Sequence, residues 1–329
     1  METQLQNLCD LFIRNRDAAK KAFRWESSYV YPICAGLFCA KGLEADADTL
    51  VQCRDIIRKQ VGIFSNFRGH LEPALASMLA LGSSPEKQMA QALENYKALK
   101  QEFWGSEYLA LAAFLLTDVS PLTLDQDRIL RGRTIYDRMK KEHPFLTASE
   151  DSIFALLMAY SDKSDDQLIS DMEAAYRILK ERFHFVSDTL QTVSHVLALS
   201  TANPEEASDR VIALYESLRS RGVKYGREYH MSPLAALTLM TEDLDRTADE
   251  IQQVDTFLSQ QKGYGILGPG KAVRAMHAAL IVSDQYTQRG QMDTAAMAGT
   301  LAMMIAQEIA MLVAISASTS AAASSSSNH

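Results

Sequence analysis

The 329-residue chain is poor in the residues that interrupt helices, with 15 glycines and 8 prolines in all. No window alternates apolar and polar residues with the period of a strand, so a sheet-based architecture is excluded and helical spacing dominates. Cysteine is equally sparse: Cys9, Cys34, Cys39 and Cys53 crowd the first sixth of the chain and form no CxxC pair. That spacing suits neither a disulfide framework nor a zinc site. It predicts reduced, buried thiols in an intracellular protein. Residues 1–21 are polar and amphipathic, without the apolar core of a secretory signal, so a cytoplasmic location is expected. Positive charge is short too: 33 Lys and Arg stand against 41 Asp and Glu, a formal net charge of -8. Proteins that grip phosphate backbones usually carry the opposite sign, and no nucleic-acid partner is expected. HExxH, GxSxG, Walker spacing and a cysteine–histidine dyad are all missing, and no metal or cofactor is expected.

What the chain does have is apolar surface, 47% of its residues, arranged with a period. The apolar residue near the end of each charged helix falls at Ala19, Ile57, Leu99, Met139, Leu179, Leu218 and Leu258, in steps of 38, 42, 40, 40, 39 and 40 residues. Three positions earlier, four consecutive units carry Tyr96, Tyr136, Tyr176 and Tyr215; four positions later, Phe23, Phe103 and Phe183 recur. A period near 40 with two helices per unit predicts about seven tandem helix hairpins. An all-α chain of some fourteen helices plus a terminal one follows.

Within each unit the two helices differ. The first is amphipathic, as in Met89 to Glu102 or Leu168 to Arg182, which marks an outer helix with a solvated side. The second is apolar nearly all round, as in Tyr108 to Leu116, Ile153 to Ala159 and Leu234 to Met240. A helix apolar on every face needs burial on every face. The pattern therefore favours a tightly curled α/α superhelix or toroid over an open solenoid. Pro85, Pro121, Pro204 and the run from Asp162 to Asp166 separate successive units, and Asn203-Pro-Glu-Glu206 reads as a helix start. The expected organisation is one repeat domain over residues 1–290, an apolar closing helix over 291–316 and an Ala/Ser-rich tail over 317–329.

Several segments together resemble the bacterial family known as domain of unknown function number 4003. They are Phe64-Ser-Asn-Phe-Arg-Gly69, Ser106-Glu-Tyr-Leu-Ala-Leu-Ala-Ala113, His143-Pro-Phe-Leu146 with Ser149-Glu-Asp151, Ser194-His-Val-Leu-Ala-Leu199 and Gly222-Val-Lys-Tyr-Gly226. The Ala/Met-rich end with its serine tail is also similar, so the resemblance covers nearly the whole chain. It implies an all-helical intracellular bacterial protein and assigns no catalytic residue.

Candidate site residues concentrate where the two helices of a unit join: Trp25-Glu26-Ser27-Ser28, Phe67-Arg68-Gly69-His70, Trp104-Gly105-Ser106-Glu107, Ser149-Glu150-Asp151, Ser187-Asp188 and His230-Met231-Ser232-Pro233. Units stacked in register would put these junctions on one rim. Serine before an acid is first of all a helix N-cap with a first-turn carboxylate. The functional alternative is a mouth shared by Arg68, Trp104, Glu107, Glu150, Asp151 and Asp188, able to bind a ligand or to do acid–base work. Gly263-Tyr-Gly-Ile-Leu-Gly-Pro-Gly270, followed by Lys271 and Arg274, is the one glycine-rich loop. No strand precedes it, so it reads as a connector, with anion binding at a helix start as the alternative. His195 and His277 lie within apolar helices and read as hydrogen-bonded core residues. The segment Ala295 to Ile315 is long enough to span a bilayer, but its Gln307 and Glu308 favour a buried closing helix over membrane contact. Two functions stay open: a non-catalytic scaffold that binds a protein, peptide or small ligand, and an enzyme with a carboxylate-lined site in the mouth of a toroid.

Overall fold

The structure is a computed structural model and describes residues 1–24, 26, 30–118, 124–183, 187–227, 230–265 and 268–288. Among these residues there are fourteen α-helices, one 3-10 turn and no strand. In chain order, α1 (Thr3–Ala22) precedes α2 (Val30–Ala40), α3 (Ala47–Gln60) precedes α4 (Glu72–Leu81), α5 (Pro85–Leu99) precedes α6 (Glu107–Asp118), and α7 (Gln126–Glu142) precedes α8 (Asp151–Met158). Then come α9 (Asp165–Arg182) and α10 (Ser187–Ala198), α11 (Pro204–Ser220) and α12 (Met231–Thr238), and α13 (Leu244–Ser259) and α14 (Gly270–Gln288). The expected closing helix and tail lie outside the described residues, as do Pro121, Trp25, Ser27, Ser28 and the middle of the glycine-rich loop. Among the described residues no helix is long and apolar enough to cross a membrane.

Each odd-numbered helix packs against the even-numbered helix that follows it. The partners run antiparallel, because polar bridges join the end of one to the start of the other. Tyr31 at the start of α2 donates to the Phe23 carbonyl at the end of α1, at 3.0 Å. Lys163, just before α9, donates to the Ala198 carbonyl at the end of α10, at 3.0 Å. Local chemistry sets the starts of the odd helices. Asp46, Asp125, Ser164, Asn203 and Asp243 each accept the N–H three residues on, capping α3, α7, α9, α11 and α13. Each such cap is worth about 1 kcal/mol. At the other side, Gly42 (φ 65°) and Gly222 (φ 78°) adopt the left-handed conformation that ends α2 and α11.

Burial divides the helices as their patterns require. The seven periodic anchors, Ala19, Ile57, Leu99, Met139, Leu179, Leu218 and Leu258, are at most 1% exposed. In the even-numbered helices the burial is all-round: every residue of Val30–Cys39, Asp151–Met158 and Met231–Thr238 is buried. Removing each such Leu, Ile or Phe from water contributes roughly 1.5–3 kcal/mol before entropy is charged against it. Close approach has one visible requirement: a Cβ at Gly132 of α7 would lie 3.0 Å from the Leu156 side chain of α8.

The recurring tyrosines lock one helix pair to the next. Phe67 meets Tyr96, Phe103 meets Tyr136 and Phe183 meets Tyr215 edge-to-face, with ring centroids 5.2, 5.9 and 5.3 Å apart. Where the period has no phenylalanine, His143 takes the place and lies 4.6 Å from Tyr176. Between the first two pairs Arg54 stands in the tyrosine position, its guanidinium 5.5 Å from the Phe23 ring centroid. The helix α5 ends at Leu99, not at Glu102 as the pattern implied. It also starts earlier, at Pro85, and α9 starts at Asp165 behind its Ser164 cap.

The last described helix also touches the first ones. Besides α12 and α13, α14 packs on α1 and α2. Phe12 of α1 lies 6.3 Å from the His277 ring of α14, and Arg246 of α13 pairs with Glu2 at 3.1 Å.

Candidate binding face at the helix-pair junctions

The junctions inside the pairs follow the last turns of the odd-numbered helices and are bonded to neighbouring pairs. Asn66 donates to the Tyr96 hydroxyl at 2.6 Å, Arg133 to the Glu102 carbonyl at 2.9 Å, and Gln191 to the Thr147 hydroxyl at 2.9 Å. Each bond ties the junction of one pair to the next pair.

Most of the acids found here hold the fold. Glu107, the first residue of α6, accepts the Leu71 N–H at 3.3 Å across two pairs. It reaches there because position 69 is glycine; a Cβ would fall 2.0 Å from the Glu107 carboxyl carbon. Ser106 supplies the cap that its sequence suggests, accepting the Leu109 N–H at 3.0 Å. The next pair solves the same problem differently. Ser149 does not cap α8; instead Asp151 reaches back to accept the Ala148 N–H at 2.8 Å. Asp151 is 3% exposed and its other oxygen lies 3.2 Å from His195 Nδ1 of α10. Glu150 and Asp188 stand near it, and desolvation together with the Asp151 charge raises both carboxyls above their ordinary values. Arg68, on the 3-10 turn Asn66–Arg68, lies 3.8 Å from Glu72, a buried carboxylate that Arg58 also grips with two nitrogens. Arg274 is likewise committed, with both nitrogens on Asp255 at 2.7 and 2.9 Å, while Lys271 stays exposed.

His277 is the hydrogen-bonded core histidine that its apolar helix implied, and its partners form a second buried polar group. Arg16 (9% exposed), Tyr264 and His277 meet between α1 and α14, with the Tyr264 hydroxyl 2.8 Å from His277 Nδ1. Burial, with His230 and Arg16 nearby, pushes His277 from 6.5 down to about 3; burial alone takes His230 to about 4. The available signal was an arginine inside the apolar stripe Leu8, Phe12, Ala19 and Phe23 of α1.

The outward side of this end is different in kind. Phe64 is 96% exposed, Trp104 92% and Phe145 98%, one ring at each of three consecutive junctions. A nearby apolar residue turns inward each time: Phe67, three residues on from Phe64, and Phe103 are buried, and Leu146 packs on the core from a partly buried position. A shallow groove of about 550 Å³ runs beside Trp104, lined by Asn66, Lys100, Phe103 and Gly105. The last turns of α1, α3, α5, α7, α9 and α11, which end here, all carry lysine or arginine. Their first turns, at the far end, carry aspartate or glutamate in every odd-numbered helix from α3 to α13. A chain that is acidic overall thus turns a basic, aromatic face to one side.

Comparison with known proteins adds family and relative but no activity. An uncharacterised protein of Bacillus subtilis (strain 168), YeaA, is 27% identical over 255 residues, covering 74% of this chain and 77% of that protein. No solved structure matches the chain. The family described as "Protein of unknown function (DUF4003)" matches residues 15–311, and the chain belongs to that family.

Proposed function

We propose that this protein is a non-catalytic binding scaffold: tandem helix hairpins closed into an α/α ring, with the junction end as its docking rim. Closure is supported by the packing of α14 on α1 and α2 and by the Arg246–Glu2 contact. The repeat is supported by the ring contacts that recur from pair to pair. Four buried cysteines, present as thiols, suit a reducing bacterial cytoplasm. Partial commitment of the rim acids to backbone N–H groups, to arginines and to His195 makes them structural parts of the scaffold.

The observation that carries the reading is the set of three fully exposed rings at equivalent junctions. Single exposed apolar residues are ordinary on any surface. Three large rings, one at each of three consecutive helix-pair junctions, form a patterned face. The test is a chain carrying Phe64→Ser, Trp104→Ser and Phe145→Ser, compared with the parent for what each retains from a host lysate with membranes present. Loss of a retained partner in the variant, at unchanged thermal stability, is expected. Identical retention profiles would sink the docking rim.

A further inference from the structure

Resting on that reading, we infer that the rim docks on the surface of an anionic lipid bilayer. Three features of the face fit that partner and fit it together. The first is the depth of exposure. Phe64, Trp104 and Phe145 stand 92–98% in water, in the connections between paired helices. Aromatic tips of this kind enter the boundary between headgroups and acyl chains, where an amphipathic indole is most at home. The second is the charge collar. Lys59 precedes Phe64, Lys100 precedes Trp104, and Lys140 and Lys141 precede Phe145, each within five residues of the ring it accompanies and each exposed. Lysines beside a shallowly inserted ring lay their alkyl stems along the interface and their ammonium groups among phosphates. The third is polarity of the whole molecule. The far ends of the odd-numbered helices are acidic, so an anionic surface attracts one end and repels the other, which orients the protein as it approaches.

The acids on the near end do not cancel this. Glu72 and Asp151 are buried, and Glu107 is turned onto the Leu71 N–H. Glu142, Glu181 and Asp188 are the exposed acids there among the described residues of the odd-helix last turns and even-helix first turns, and they face more numerous cations. A single-stranded nucleic acid shares the chemistry of phosphate and stacking but not the spacing. Neighbouring packed helices stand roughly 10 Å apart, so rings one pair apart are too widely set to stack on successive bases.

The experiment uses the full chain with vesicles of phosphatidylcholine alone and with about one part in three phosphatidylglycerol. Flotation measures binding. Because Trp25 and Trp104 are the two tryptophans, Trp25→Phe leaves Trp104 as the fluorescence reporter. Binding at least ~10-fold stronger on the anionic vesicles, weakening as salt rises, is expected. A blue shift of Trp104 on binding and a loss of at least ~10-fold in the three-serine variant are expected with it. The variant's thermal midpoint should not move, since the rings contribute no burial. No binding to anionic vesicles, or equal binding by the variant, overturns the inference. If the rim then still retains a protein from lysate or an oligothymidine strand, the docking rim stands and only the lipid partner is wrong. If it retains nothing, both fail.

Discussion

Acid should weaken this fold through two buried histidines, and by a calculable amount. His277 is 1% exposed and His230 5% exposed. In the folded chain they remain neutral down to about 3 and about 4, whereas an unfolded histidine takes up its proton near 6.5. The unfolded state therefore binds more protons as pH falls below 6.5, and stability that is complete above that value is lost on the way down. At about pH 5 each ring is some 1.5 units below its unfolded value, which at about 1.4 kcal/mol per unit is roughly 2 kcal/mol per histidine. Together they would remove a large share of the roughly 5–15 kcal/mol that holds a typical domain. Urea unfolding of the parent and of His277→Gln, at pH values from about 7 to about 5, measures it. The parent should lose stability over that interval and the variant should lose about 2 kcal/mol less. A parent stability that is flat with pH, or the same slope in both proteins, would refute the reasoning.

Two further perturbations probe the junctions. Phe103→Ala should cost roughly 3–5 kcal/mol by emptying a buried site. A double-mutant cycle with Tyr136→Ala should return a coupling of about 0.5–1.5 kcal/mol; a coupling near zero would mean that the ring contact locks nothing. Glu150→Gln should stabilise the protein at neutral pH, because burial raises the carboxyl and penalises its charged form. That penalty grows as pH climbs through and above 4.5, so the variant's advantage should vanish below it, and an advantage retained in acid would contradict the cause given.

The helix pairs were legible because burial is periodic. All seven anchors sit where a 40-residue spacing puts them, and the tyrosines that mark the spacing turn out to be the contacts between pairs. Substituted partners hid part of the pattern: His143 and Arg54 serve where phenylalanine and tyrosine are absent, and neither looks like its equivalent in one-letter form. The site was legible as a place more than as chemistry. Glu150, Asp151 and Asp188 lie near one another, yet whether Glu107 faces solvent or the Leu71 N–H depends on a glycine in another pair. Arg274 looked available beside a glycine-rich loop, but its partner Asp255 lies across the hairpin on α13. No sequence signal separated exposed Phe64 and Phe145 from Phe67, which is buried, and Leu146, which is partly buried against the core. Contacts such as Arg246 with Glu2 join residues 244 positions apart in the sequence, and no local pattern reports them.

Ring closure is tested most directly at that contact. The Glu2 carboxylate and Arg246 guanidinium are 3.1 Å apart and about half exposed, so Glu2→Cys with Arg246→Cys leaves two exposed thiols facing each other across the gap that those longer side chains spanned. The native cysteines should stay silent: all four are buried, and burial raises Cys9 and Cys34 to about 12, Cys53 to about 11 and Cys39 higher still. A bismaleimide with a reach of about 10 Å, the span of three extended residues, is added to dilute folded protein. A closed ring predicts rapid cross-linking within one chain, seen as a faster-migrating monomer on a denaturing gel and as a peptide joining positions 2 and 246 by mass spectrometry. An open array predicts unlinked monomers or links between chains only, and that result would contradict the ring.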